Sequence, residues 1–136
     1  MIRRIGIGAL AYLVPTFALG FVWHLVWFKG YYDALAMYRA DVIIPFGFLS
    51  MSIQAVLFAW VYQKAFAGGS IRLGSLAYAA FGAALSWSYT TIAVGAKNVM
   101  TSVPDYVLIE TAFTLTQWLI VAPLTAWSFQ ASARES

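Results

Sequence analysis

Apolar residues fall in four long blocks, at 5–28, 42–62, 75–96 and 106–129, with short polar punctuation between them. About 20 apolar residues are needed to cross roughly 30 Å of hydrocarbon, so each block is long enough to span a bilayer. The punctuation is charged or turn-forming: Arg3-Arg4 and Lys29, Asp41 and Lys64, Gly74 and Lys97, then Asp105 and the tail from Ala131. A lone strand leaves its backbone unsatisfied in lipid, and no block alternates with the two-residue period of an outer-membrane barrel. The pattern therefore predicts an all-α integral membrane protein. It is read as a single domain over 1–136, a four-transmembrane-helix bundle.

The first block has some outline of a signal peptide, with Arg3-Arg4, an apolar run, Pro15, Ala18 and Gly20. Apolar character continues through Phe28, so it is read as a retained helix with a bend at Pro15. Segment 30–41 predicts a short interfacial helix, with Tyr31, Leu35 and Tyr38 on one side and Asp33 and Arg39 toward water. Segment 65–74, containing Gly68-Gly69, predicts a flexible turn.

Polar side chains inside a span are costly unless paired, so they mark packing seams or sites. In the first block Thr16, Gly20, His24 and Trp27 share a helical face, and in the second Ser50 and Gln54 lie one turn apart. The third carries Ser86, Tyr89, Thr90 and Thr91, and the fourth carries Glu110, Thr114 and Gln117 on one face. His24 lies five residues before Lys29, and Glu110 five residues after Asp105. At 1.5 Å rise per residue both sit about 7–8 Å inside the same boundary.

Two readings of His24 and Glu110 stand side by side. In one they form a pocket that handles a proton, because an imidazole titrates near neutrality. The same pocket is also able to hold the polar end of a lipophilic ligand whose body rests on Trp23, Trp27 and Trp87, with Tyr89 close by. In the plainer reading both are near-interface residues that snorkel to water or satisfy each other. Ser50, Gln54, Ser86, Thr114 and Gln117 read as a polar seam between helices. Trp27, Trp60 and Trp127 read as an aromatic belt, whereas Trp23, Trp87 and Trp118 lie deeper.

Composition fixes the class more firmly than the chemistry. Of 136 residues, 62% are hydrophobic and 10% charged, with a mean hydropathy of +0.79. A soluble domain carries about 25% charged residues, so a soluble enzyme and a disordered tail are excluded. The absence of cysteine removes disulfides and thiolate metal sites. A single histidine removes bis-histidine haem and multi-histidine zinc sites. No metal or other cofactor is expected beyond a lipid or other lipophile, and no nucleophile, base and orienting group assemble from the text.

The net charge of +3 comes from basic residues that stand singly or as the pair Arg3-Arg4. No basic stripe for nucleic acid results, and the excess reads as topology. With the N-terminus inside, Arg3, Arg4, Lys64, Arg72 and Arg134 share the inner side against Lys29, Arg39 and Lys97 outside. Both termini are therefore expected inside.

A shift of 64 positions pairs Phe17 with Phe81, Trp23 with Trp87, Asp41 with Asp105, Ser50 with Thr114 and Ser52 with Thr116. A further slip of three pairs the stretch Ala59-Trp60 with Ala126-Trp127. This is either two parallel-repeated helical hairpins or chance alignment of helices rich in Ala, Phe and Trp.

Ala80-Phe81-Gly82, Tyr89-Thr90-Thr91, Lys97, Asp105 and the polar opening of the last block, with Trp23 and the Tyr31-Tyr32 segment, carry a family likeness. In these the chain resembles a group of small four-helix bacterial membrane proteins of no settled activity. The polar pairs usual in their third helix appear here only as Tyr89-Thr90-Thr91. The resemblance implies a multi-pass protein of the bacterial inner membrane and supplies no reaction.

Three functions remain in view. The first is a non-catalytic accessory or lipophile-binding subunit, partnered by the bilayer and by a larger membrane complex or a second copy. The second is a small oligomeric proton-linked transporter using His24 and Glu110. An enzyme using the same pair as acid and base ranks last.

Overall fold

A computed structural model describes residues 1–134; Glu135 and Ser136, the end of the expected tail, lie outside the described residues. Every regular element among them is helical. Helix α1 (Ile2–Val22) runs into a π-helical turn at Trp23–Trp27, followed by α2 (Lys29–Leu35) and α3 (Ile44–Ala65). Helix α4 (Ile71–Trp87) runs through a second π-helical turn at Ser88–Ile92 into α5 (Ala93–Lys97), and α6 (Val103–Arg134) closes the chain. Three helices are long and apolar enough to cross a membrane: Ile2–Trp27, Ile44–Ala65 and Val103–Ala131. The block expected at 75–96 differs, because it is not one uninterrupted α-helix.

At both interruptions a side chain hydrogen-bonds a carbonyl of the preceding turn. The Thr90 hydroxyl donates to the Ser86 carbonyl at 2.8 Å and the Ser88 hydroxyl to the Leu85 carbonyl at 2.7 Å. The Tyr106 hydroxyl of α6 donates to the Thr90 carbonyl. At the end of α1 the His24 ring bonds the Gly20 carbonyl at 2.9 Å, and the ladder widens so that Phe28 N–H reaches the Trp23 carbonyl at 3.0 Å. Single π turns of this kind recur at functional sites.

The helix expected across 30–41 is confined to α2. It stops where Ala36 adopts a left-handed conformation at φ 55°. Its buried face is Tyr32 and Leu35, whereas Tyr31 and Tyr38 are partly exposed. The expected face of Tyr31, Leu35 and Tyr38 is thus corrected, because α2 restarts its register after the π turn. The last carbonyls of α2 are capped from outside: Thr101 donates its amide to Leu35 and its hydroxyl to Ala34, at 3.0 and 2.8 Å. Asp33 and Arg39 are exposed as expected, beside Lys29 and Asp41 respectively.

Helices α1 and α6 pack along each other, α3 lies along α1, and α4 lies along α6. Helices α3 and α4 meet through rings instead, Tyr62 and Phe66 closing on Tyr78 at centroid distances of 5.0 and 5.6 Å. Those rings belong to a core at the end nearer the termini, with Tyr12, Phe58, Trp118 and Phe129. A second, smaller core at the α2 end gathers Trp23, Tyr32, Leu35, Tyr106 and Ile109. Between the cores α3 diverges, and every residue from Asp41 through Ser50 is exposed.

The buried positions of α1 are Gly8, Tyr12, Thr16 and Gly20, and those of α4 are Gly74, Tyr78, Gly82 and Ser86. Both are four-residue ladders, and the second lies 66 positions after the first. Gly82 is where α4 approaches α6 most closely, since a Cβ there would overlap the Trp118 ring. Gly82→Ala is expected to destabilise the protein by about 2 kcal/mol through overpacking against that ring. Gly6→Ala, where a Cβ meets open space, serves as the control. Thermal unfolding in detergent should show a clear drop for the first variant only.

Candidate functional site

Glu110 projects from α6 into the bundle and is 5% exposed. A buried carboxylate needs paired or hydrogen-bonding partners, and two elements supply them. The Tyr32 hydroxyl, carried by α2, donates to Glu110 Oε1 at 2.6 Å. His24 Nε2, in the first π turn, lies 3.1 Å from the same oxygen. The sequence features expected at one depth are therefore in direct contact.

The second ring nitrogen is also engaged. His24 Nδ1 faces the Gly20 carbonyl at 2.9 Å. A carbonyl only accepts, so this contact is a hydrogen bond in the forms of the ring that carry a proton on Nδ1. His24 and Tyr32 thus meet at the same carboxyl oxygen. Burial pushes the Tyr32 phenol well above its ordinary range, and the adjacent Glu110 charge pushes it the same way. Tyr32 accordingly stays a donor throughout the physiological range. The His24 ring is also held by Phe113, edge-on at 4.5 Å, and by Tyr32 at 4.8 Å.

Glu110 and His24 line a cavity of about 240 Å³ between the two cores. Its walls include Thr16 of α1, Ser50 and Gln54 of α3, Ser86, Tyr89 and Thr90 beside the second π turn, and Thr114 and Gln117 of α6. A hydrogen-bonded chain crosses its floor. Gln117 donates to Tyr12 at 3.4 Å and to Thr16 at 3.3 Å. Tyr12 donates to Gln54 at 3.1 Å, and Gln54 donates to Ser50 at 3.1 Å. Trp118 donates to Ser86 at 3.2 Å. Tyr12, Thr16 and Gln117 are buried and Gln54 is half-buried, so the hydrogen-bonded chain rises from the floor to Ser50, which is exposed at the rim with Gly47 and Tyr89.

The structure therefore brings His24, Glu110, Tyr89, Ser50, Gln54, Ser86, Thr114 and Gln117 to one cavity. It does not bring the three tryptophans there. Trp23 is buried against Phe28 and Phe113, at centroid distances of 4.6 and 5.8 Å. Trp27 is 68% exposed. Trp87 donates to Thr111 at 2.8 Å and lines a separate groove with Ala83 and Leu115. Indole stacking on a ligand body is thus not built into this cavity.

Sequence reasoning missed Gly47, Met51 and Phe113 of the lining, and two polar members, Tyr12 and Tyr32. Tyr12 was signalled by the four-residue ladder from Gly8 to Gly20, hidden among ordinary apolar spacing. Tyr32 carried no usable signal, because its neighbour Tyr31 fits the spacing to Leu35 and Tyr38.

Compared with protein-family models, with curated proteins and with solved structures, the chain matches none. The resemblance to small bacterial four-helix proteins therefore carries no residue roles here, and the chemistry rests on geometry alone.

Loss of the phenol should show the weight of that geometry. Tyr32→Phe removes a donor to a buried charged group, worth about 2 kcal/mol. The expected result is a lower melting temperature together with faster amide exchange across Lys29–Leu35. Unaltered exchange there would show that α2 is not held through Glu110.

Proposed function

We propose that this chain is a four-span protein of the bacterial inner membrane that binds the polar end of a lipophilic molecule, as a non-catalytic accessory or lipophile-binding subunit. The observation that carries this reading is the buried polar cavity floored by Gln117, Tyr12 and Gln54 and walled by Glu110. It lies between helices apolar enough for a bilayer. The fourth span in this reading is the helical run from Ile71 to Lys97. That run measures about 40 Å at 1.5 Å per residue, enough to cross with a tilt. Both termini lie on the cytoplasmic side, following the basic residues Arg3, Arg4, Lys64, Arg72 and Arg134. A larger membrane complex or a second copy covers part of the apolar exterior.

Glu110 supports the binding role in a specific way. Both protein donors converge on Oε1, which leaves Oε2 as the acceptor for a ligand hydroxyl or amide. Extraction in a mild detergent followed by native mass spectrometry should find a stoichiometric nonprotein adduct. Glu110→Gln should lower its retention about tenfold, the cost of one hydrogen bond to a charged group. A wild-type chain free of adduct, and unaffected by added lipid extract, would remove this reading.

The direct contact of His24 with Glu110 favours a second reading, a small oligomeric proton-linked transporter. The expectation there is that Glu110→Gln abolishes pH-dependent flux in proteoliposomes while the protein stays folded. Undiminished flux would count decisively against it.

A further inference from the structure

The polar cavity has an apolar neighbour. A second cavity of about 250 Å³ lies against α1 and the start of α3, walled by Phe17, Phe21, Leu25, Ile43 and Ile44. Three residues line both chambers: His24, Gly47 and Met51. The chambers therefore share a wall at the rim where α3 diverges, and Gly47 stands in it without a side chain. A Cβ built on Gly47 meets nothing within 4 Å, so the space at this position is open.

The two linings differ in kind. The polar chamber offers hydroxyls, two carboxamides, one carboxylate and one imidazole, with no lysine or arginine. An anionic head such as a phosphate or carboxylate finds no lysine or arginine there and meets the Glu110 carboxyl instead. A head carrying hydroxyls finds an acceptor in Glu110 and a donor in the Gln54 amide hydrogen that Ser50 does not take. A dry cavity of about 150 Å³ holds a benzene ring, so about 240 Å³ accommodates a head somewhat larger than one ring. The apolar chamber suits one flexible hydrocarbon chain.

We propose that the two chambers form one site for a single-chain amphiphile with an uncharged, hydroxyl-bearing head: the head beside Glu110, the chain past Gly47 into the apolar chamber. This deepens the lipophile-binding reading and rests on it. The side chains that define the head class come from α1, α3, α4, α6 and both π turns, while the chain seat comes from α1, the first π turn, the connection before α3 and the start of α3.

The test uses the full chain in detergent with three probes of equal chain length: monoolein, oleate and oleoyl lysophosphatidate. Native mass spectrometry and the shift in melting temperature read binding. The expected result is a one-to-one monoolein complex at least tenfold tighter than either anionic probe, with a raised melting temperature. Gly47→Leu should weaken monoolein at least tenfold while leaving the unliganded melting temperature unchanged. Because the chain has no cysteine, Gly47→Cys supplies a milder variant. Its reaction with methyl methanethiosulfonate should be slowed by monoolein, and the modified protein should bind monoolein poorly. Anionic probes binding as tightly as monoolein would overturn the head class. Monoolein that neither protects Cys at 47 nor is weakened by Gly47→Leu would overturn the chain path. Failure of all three probes to bind would overturn the lipophile-binding reading itself.

Discussion

A carboxylate withdrawn from water is tolerated only when neighbouring groups replace its lost solvation. Glu110 imposes that requirement on the α2 half of the molecule, and the chain meets it from two separate elements. His24 reaches Oε1 because a π turn ends α1. Tyr32 reaches the same atom because α2 folds back over the bundle and is capped by Thr101. The smaller core of Trp23, Leu35, Tyr106 and Ile109 then packs around these polar contacts. Helix α2 is thus more than a connection between spans, since it carries one of the two partners of the buried charge.

The same economy appears at the second π turn. Ser88 and Thr90 bond carbonyls of their own helix, and Tyr106 takes the Thr90 carbonyl. The local cost of breaking the α ladder is offset by these three hydroxyls. In return Tyr89 and Thr90 face the polar cavity. Both π turns adjoin this cavity, one bringing His24 and the other Tyr89. The two ends of α1 and α4 therefore do similar work from opposite sides of α6.

Much of this was legible from residues alone, and the reasons are specific. Helix positions followed from apolar runs bounded by Arg3-Arg4, Lys29, Lys64, Lys97 and Asp105, because lipid-scale hydrophobicity leaves a strong mark on text. The common depth of His24 and Glu110 followed from their equal distances to boundary charges, but their contact did not. Ser50, Gln54, Ser86, Thr114 and Gln117 were legible as inward polar positions of a seam, because polar groups avoid the lipid face, but not as the lining of a cavity. Three things escaped. The break at Ser88–Ile92 escaped because Ser and Thr do not mark a break: Ser52, Thr111 and Thr116 make the same back-bonds inside unbroken α-helices. The orientation of α2 depends on a register reset at Lys29, which selects Tyr32 over Tyr31. The placement of Trp27 and Trp87 depends on helix rotation, which aromatic content does not specify.

The ring cluster joining α3 to α4 also has a mechanical side. Phe58, Tyr62 and Phe66 surround Tyr78 at one end, while α3 has no comparable neighbour on its α4 side toward Asp41. On its α4 side α3 is therefore clamped at one end, while Phe48 against Phe17 at 5.4 Å keeps it on α1. From Phe58 to Gly47 the helix axis runs about 16 Å, at 1.5 Å per residue. A tilt of about 10° around the clamp displaces Gly47 by about 3 Å, close to the width of a methylene chain, within the range of collective helix motions on the microsecond-to-millisecond scale. Packing at Tyr78, far from the carboxylate, thus sets the stiffness of the gap between the two chambers.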